Sequence, residues 1–306
     1  MKRNAGFWVI AFLSVFGASE GFAQQQRLDA GTKVLIPSSA RTDTFNSFLA
    51  VINLDSQDNA ITITARRANG TVLGNPITTV LSAGGRFRST DILGDMGVPR
   101  DGSSFGPITV ESTNGKVLSA VSEVASVQGP GGFFPGVNTS NAWMQGYMAE
   151  VIDTGESGSA GTFRTNLGLN TVTGTPANVT VTLRGATGQQ LGNANFLVPG
   201  NGLTQFRVRD SIGALNGTNG YLTITSDQPI HAWASKIENG TGDPSFQIGI
   251  GALAGTVISQ VLPSVSDARN DFLFVGLALI PVGLFLVLKV SGIDLYEDES
   301  LGRQTI

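Results

Sequence analysis

The sequence predicts an all-β protein built as two tandem antiparallel β-sandwiches, and three observations carry that prediction. Glycine takes 40 of the 306 positions, well above the ~7% of ordinary proteins. No G-X-Y period accompanies it, so a collagen helix is excluded and the glycines read as turn residues. Apolar and polar residues alternate with a period of two in Ile61-Thr-Ile-Thr-Ala65, Val179-Thr-Val-Thr-Leu183 and Tyr221-Leu-Thr-Ile-Thr225, the pattern of strands with one buried and one wet face. Blocks of the chain also recur in order, and an internal repeat of this length means that one structural unit has been used twice.

The repeat is read block by block. Leu49-Ala50-Val51 matches Leu167-Gly168-Leu169, Ile61 to Arg66 matches Val179 to Arg184, and Leu73-Gly74 matches Leu191-Gly192. Phe87-Arg88 with Asp91 matches Phe206-Arg207 with Asp210, and Gly106 to Ser112 matches Gly220 to Ser226. Small changes of offset between blocks are what loops allow. The first sandwich is expected over 24–144, with the Gly- and Pro-rich stretch Gln128 to Gly136 late in it, and the second over 145–255. Turn signals punctuate both: Asn69-Gly70, Thr187-Gly188, Asn201-Gly202, Asn216-Gly217 and Asn239-Gly240. Helix is expected only after Asp91 and Asp210, each an acid placed to cap one short turn or to pair with Arg88 or Arg207.

The ends read differently. Lys2 and Arg3, the apolar run Phe7 to Phe16, and Gly21-Phe22-Ala23 before Gln24 make residues 1–23 a secretory signal pattern. Residues 256–271 form a linker. Residues 272–290 (FLFVGLALIPVGLFLVLKV) carry no charge before Lys289 and match the ~20 apolar residues of a single membrane span; Pro281 is tolerated there. An acidic tail follows over 291–306. A second reading stays open. Leu262-Pro263-Ser264 with Ala268-Arg269 echoes Ile36-Pro37-Ser38 with Ala40-Arg41, so the run also fits two buried strands of a truncated third repeat.

In the second copy, Phe163-Arg-Thr-Asn-Leu167, the run Leu222-Thr-Ile-Thr-Ser226-Asp-Gln-Pro229, and Ala232-Trp-Ala-Ser235 leading to Asp243-Pro-Ser-Phe246 resemble the immunoglobulin-like β-sandwich repeats of secreted and surface bacterial proteins. The first copy keeps the strand pattern but has Asn114-Gly115 in place of Gln228-Pro229 and lacks the Asp-Pro-Ser-Phe segment. The resemblance implies a non-catalytic structural or binding module and names no ligand.

Composition narrows the chemistry. There is no cysteine and one histidine, so disulfides, cysteine nucleophiles and multi-histidine metal centres are excluded. Net charge is −4 with no basic block, which argues against nucleic acid. Gly102-Ser-Ser-Phe-Gly106 fits the nucleophile-elbow pattern, yet its flanks read as loop into strand and the only histidine, His231, belongs to the other copy. Asp55 and Asp58 share a loop without the spacing of a calcium loop. No cofactor or metal is expected. Phe133, Phe134, Trp143 and Trp233 are the aromatics to consider for contact with a partner. The expectation is an exported, periplasmic or surface, membrane-anchored, non-enzymatic protein that presents its domains for adhesion or structural assembly to a protein or glycan partner. The alternative is a ligand-binding, carbohydrate-recognising module; flat exposed aromatics favour it and buried ones count against it.

Overall fold

Alternation in the sequence becomes alternation in space. Along Asn59–Ala65 every second residue is buried, and Ala177–Gly185 repeats that pattern. The computed structural model describes residues 29–127, 131–155, 158–213, 215 and 219–252. The expected signal segment, linker, span and acidic tail lie outside these residues. All of the described residues belong to one compact unit of the chain. Among the described residues no helix is long and apolar enough to cross a membrane.

The first half contains β1 (Lys33–Ala40), β2 (Phe45–Asn53), β3 (Asn59–Ala65), β4 (Ile77–Leu81), β5 (Arg86–Ser89), α1 (Ile92–Asp95), β6 (Phe105–Ser112), β7 (Leu118–Ser126), β8 (Gly131–Pro135) and β9 (Val137–Asn138). They form two antiparallel sheets, ordered β4-β3-β6-β1-β9 and β5-β2-β7-β8. Inward residues from both sheets, including Ile36, Leu49, Ile63, Val110 and Leu118, share one core. β1 shifts register between Ile36 and Ser39. Pro37, which has no N–H for the ladder, lies within that shift.

The second half contains β10 (Trp143–Ile152), β11 (Phe163–Thr171), β12 (Ala177–Gly185), β13 (Gln190–Val198), β14 (Leu203–Arg207), α2 (Val208–Ser211), β15 (Asn219–Glu238), β16 (Pro244–Ile248) and β17 (Ile250–Gly251). Its strand order repeats the first: β13-β12-β15-β10-β17, with β14-β11-β15-β16 beside it. The early part of the 20-residue β15 takes the place of β6 and its late part that of β7. Pro229 lies where the strand leaves β12 and joins β11. β10 begins at Trp143, just ahead of the 144/145 division read from the sequence.

The repeat holds in register as well as order. Ile61 faces Ser112 as Val179 faces Ser226. One pairing departs: Val51 faces Phe87, whereas Leu167 faces Phe206. Relative to the sequence match, β14 has slid by two residues. A slip of two keeps every side chain on its own face, so the core tolerates it.

Each half has its own core, around Leu49, Ile61 and Val110 in the first and around Leu167, Val181 and Ile224 in the second. Two residues cross over: Leu203 and Trp233 belong by sequence to the second half but are buried in the core of the first. The halves also meet through backbone, since Leu203 N donates to the Ala68 carbonyl at 2.9 Å. Gly70 is needed at that junction. Its φ is +85°, and a Cβ there would stand 2.0 Å from the Gly200 carbonyl oxygen.

Candidate functional site

The seam between the halves is built from aromatic rings. β8 contributes Phe134, β15 contributes Trp233 and β16 contributes Phe246. Phe134 meets Trp233 edge-on at 5.0 Å between centroids, and Phe246 stands 4.0 Å from Phe134. Edge-to-face contacts of this kind add to the burial term. Trp233 is buried at 1% exposure. Its indole N–H donates to Asn170 Oδ1 at 3.0 Å, and Asn170 Nδ2 donates to the Pro37 carbonyl at 3.0 Å. The ring lies flat on Gly168, where a Cβ would fall 2.0 Å from it.

Beside this cluster runs a groove of about 630 Å³. Phe45 and Phe105 line it from the first half, and Arg164, Asn166, Gln205 and Ser235 line it from the second. A second concavity of about 650 Å³ lies on the other side of Phe246, with Phe133, Glu150, Lys236 and Gln247 in its walls. There Lys236 pairs with Glu150 at 3.2 Å, an exposed pair that water screens. Apolar walls with a few convergent polar groups are the usual make-up of small-ligand sites.

The four aromatics singled out from sequence fall in different environments. Phe133 is exposed at 54%, whereas Phe134 and Trp233 are buried in the seam. Trp143 is half-buried over Gly146, Gly249 and Gly251. Neighbouring strand residues point to opposite faces, so Phe133 and Phe134 do not form one exposed patch. Phe45, Phe105, Phe246 and Arg164 were not singled out as contact residues from sequence, although Arg164 and Phe246 lie in the motifs that carry the resemblance. They come from four separate strands, and no local motif links them.

The repeated Arg and Asp positions diverge. Asp91 caps α1, accepting from Gly94 N at 3.0 Å. Its ion pairs are with Arg41 at 2.9 Å and Arg100 at 3.7 Å and not with Arg88, which instead lies 5.1 Å over the Phe48 ring. Asp210 is neither the cap nor the partner of Arg207. It stands within α2, whose cap position is Arg207 with no side-chain cap bond, and it is exposed. Arg207 pairs instead with Asp153 at 2.9 Å, and Arg209 lies 3.5 Å from the same carboxylate. Both differences have one cause. Sequence spacing shows neighbours along the chain, whereas Arg41 and Asp153 come from the end of the first strand of each half.

Ser104 is fully buried just before β6, and its hydroxyl donates to Asp101 at 3.0 Å. Hydrogen bonds from the Ser103 side chain and backbone, and from Ser104, hold Asp101 below the usual carboxylate range. His231 is 3% exposed, with Nε2 3.2 Å from the Asn138 carbonyl. Burial pushes its imidazole down to about 4, against the upward pull of that carbonyl and of Asp29. Among the described residues no three His, Asp or Glu side chains gather as a metal site.

No family model matches this chain, and no curated protein matches it. Among solved structures, the crystal structure of Thermotoga maritima 1070 superposes with a TM-score of 0.32 at 14% identity, over 37% of this chain and 97% of that one. The Ruminococcus gnavus beta-glucuronidase in complex with uronic isofagomine gives 0.15 at 11% identity, over 74% of this chain and 36% of that one. Similarities of this size carry no argument about fold or function.

Proposed function

We propose that this chain is an exported, non-enzymatic cell-envelope protein, held by an apolar C-terminal segment at 272–290. In this reading its two immunoglobulin-like sandwiches act as one stiff module for adhesion or structural assembly. The observation that carries the reading is the seam. A flexible tether between halves would leave Phe134, Trp233 and Phe246 wet, whereas here Trp233 is buried in the core of the neighbouring half. A protein that must hold a binding surface away from a membrane benefits from such a joint, because stiffness lowers the entropy lost on attachment. The test is binding of the full chain to intact cells, cell-wall polysaccharide and matrix proteins, alongside a broad ester and peptide hydrolysis panel. Saturable binding without turnover is expected. Turnover abolished by Ser104→Ala or His231→Gln would overturn the reading.

The groove beside the seam favours a second reading, a ligand site of about 630 Å³ with Phe45 (42% exposed) and Arg164 in its walls. The burial of Trp233 counts against a sugar-stacking platform, which needs an open ring face. Calorimetric titration with an oligosaccharide panel separates the readings: heat lost on Arg164→Ala supports a ligand site, and no heat with any member removes it.

A further inference from the structure

Each sheet ends in edge strands, and their protection differs. β5 has four residues, two of them arginine. β9 and β17 have two residues each. β8 ends in Pro135, and β16 begins at Pro244. β14 has five residues and ends at Arg207. Short length, charge and proline are the devices that keep sheet edges from pairing with other chains. β13 has none of these three; its one irregularity is a bulge at Leu191, which the ladder skips between the pairs Leu183–Gly192 and Arg184–Gln190. It runs nine residues, Gln190–Val198, without a charge or a proline, and among the described residues β12 is its only strand partner. Leu191 and Leu197 on its outer face are 38% and 66% exposed.

The first half shows the protected version of the same edge. Ile77 faces Ile63 as Ala194 faces Val181. Yet β4 begins only at Ile77, directly after Asn75-Pro76, and is five residues long. The second half has Asn193 where the first has Pro76 and continues as strand.

We propose that β13 pairs antiparallel with β13 of a second copy of this chain, about a two-fold axis through Ala194, to make one continuous sheet across both copies. The occupant follows from the strand's own sequence. About Ala194 the regular stretch Gly192–Leu197 matches itself at its centre: Asn193 falls opposite Asn195 on the outer face, and the exposed Leu197 falls opposite the start of the partner strand, where Leu191 forms the bulge. Apolar and amide pairs directly opposite each other stabilise antiparallel ladders, and a two-fold interface requires such self-matching. Asn195 Oδ1 accepts from Thr180 at 2.7 Å, which anchors that side chain on β12.

The inference deepens the assembly reading above and rests on it, and the experiment separates the two. Sedimentation of the full chain, in detergent and without, is compared with Leu197→Lys and with Val80→Lys, which puts the same charge on the exposed β4 edge. A dimer is expected. Leu197→Lys should weaken it roughly tenfold, because the change enters twice across the axis, and Val80→Lys should leave it unchanged. The chain has no cysteine, so introduced thiols report register directly. A mixture of Asn193→Cys and Asn195→Cys chains should cross-link under oxidation faster than either alone. A chain monomeric at its highest soluble concentration, a dimer indifferent to Leu197→Lys, or cross-linking no faster in the mixture would each overturn the inference. A dimer that binds no cell or matrix target overturns the adhesion reading instead and leaves this pairing standing.

Discussion

The two halves share a strand order but differ where the chain crosses from one sheet to the other. In the first half, residues 113–117 separate β6 from β7, with Asn114-Gly115 at the turn. In the second, only residues 227–229 separate the equivalent pairings, and the strand passes through unbroken as β15. Two residues fewer convert a turn into a bend. The polar anchors differ in a matching way. Just after its first strand the first half places Arg41 against Asp91, and the second places Asp153 against Arg207. The site is the same and the charges are exchanged. Strand order is therefore set by the apolar alternation, and the polar joints are free to vary around it.

The widest difference concerns Trp233, whose register partner in the first half is Val121: Gly168 faces the one as Ala50 faces the other. Trp233→Ala should cost about 4 kcal/mol, since it empties a large site in a core shared across the seam. Urea unfolding measures it. A loss below about 1 kcal/mol would show that the halves do not depend on each other.

The exchanged ion pairs come next. The Asp153 side chain is 2% exposed, so Arg207→Met leaves a buried carboxylate whose remaining cation among the described residues is Arg209, 3.5 Å away, at a cost of about 3 kcal/mol. In the first half the Arg41 and Asp91 side chains are 21% and 26% exposed, and Arg41→Met should cost about 1 kcal/mol. Equal losses would break the comparison.

His231 occupies the register position of Ser119, so only the second half should feel mild acid there. Its folded value, about 4, lies below the ordinary 6.5. The unfolded chain therefore takes the proton first. Stability is full above pH 6.5 and falls as pH drops toward 4, by about 2 kcal/mol at pH 5. His231→Gln should flatten the slope between pH 6.5 and 5, and an unchanged slope would assign it to other groups.

The smallest effect separates the repeated acids. Asp91→Ala removes a cap and an ion pair and should cost about 1 kcal/mol. Asp210→Ala, at an exposed position, should stay within about 0.5 kcal/mol. Thermal melts of the two variants side by side show the difference.

Much of the fold was legible because period two and the turn residues are local signals. Ile61-Thr-Ile-Thr and its match read directly as strands, and Gly70 and Gly188 do have positive φ. The site was far less legible. Nothing near Trp233 in sequence says that it will be buried with residues such as Leu49 and Ile63 of the other half, or that Asp153 will hold Arg207. Such contacts depend on where distant strands meet. The two-residue slip of β14 was hidden for the same reason, since a match of residue types does not fix a pairing.

The placement of Trp233 and Leu203 also sets an order of assembly. A polypeptide made from its N-terminus completes all the strands of its first half by residue 138. The core of that half still lacks Leu203 and Trp233, and neither exists until most of the second half has been made. The half that is made first is thus not finished until β15 of the other half has been made. Until β15 arrives, the place meant for an indole ring stays open, and any factor that handles the growing chain meets its apolar lining there.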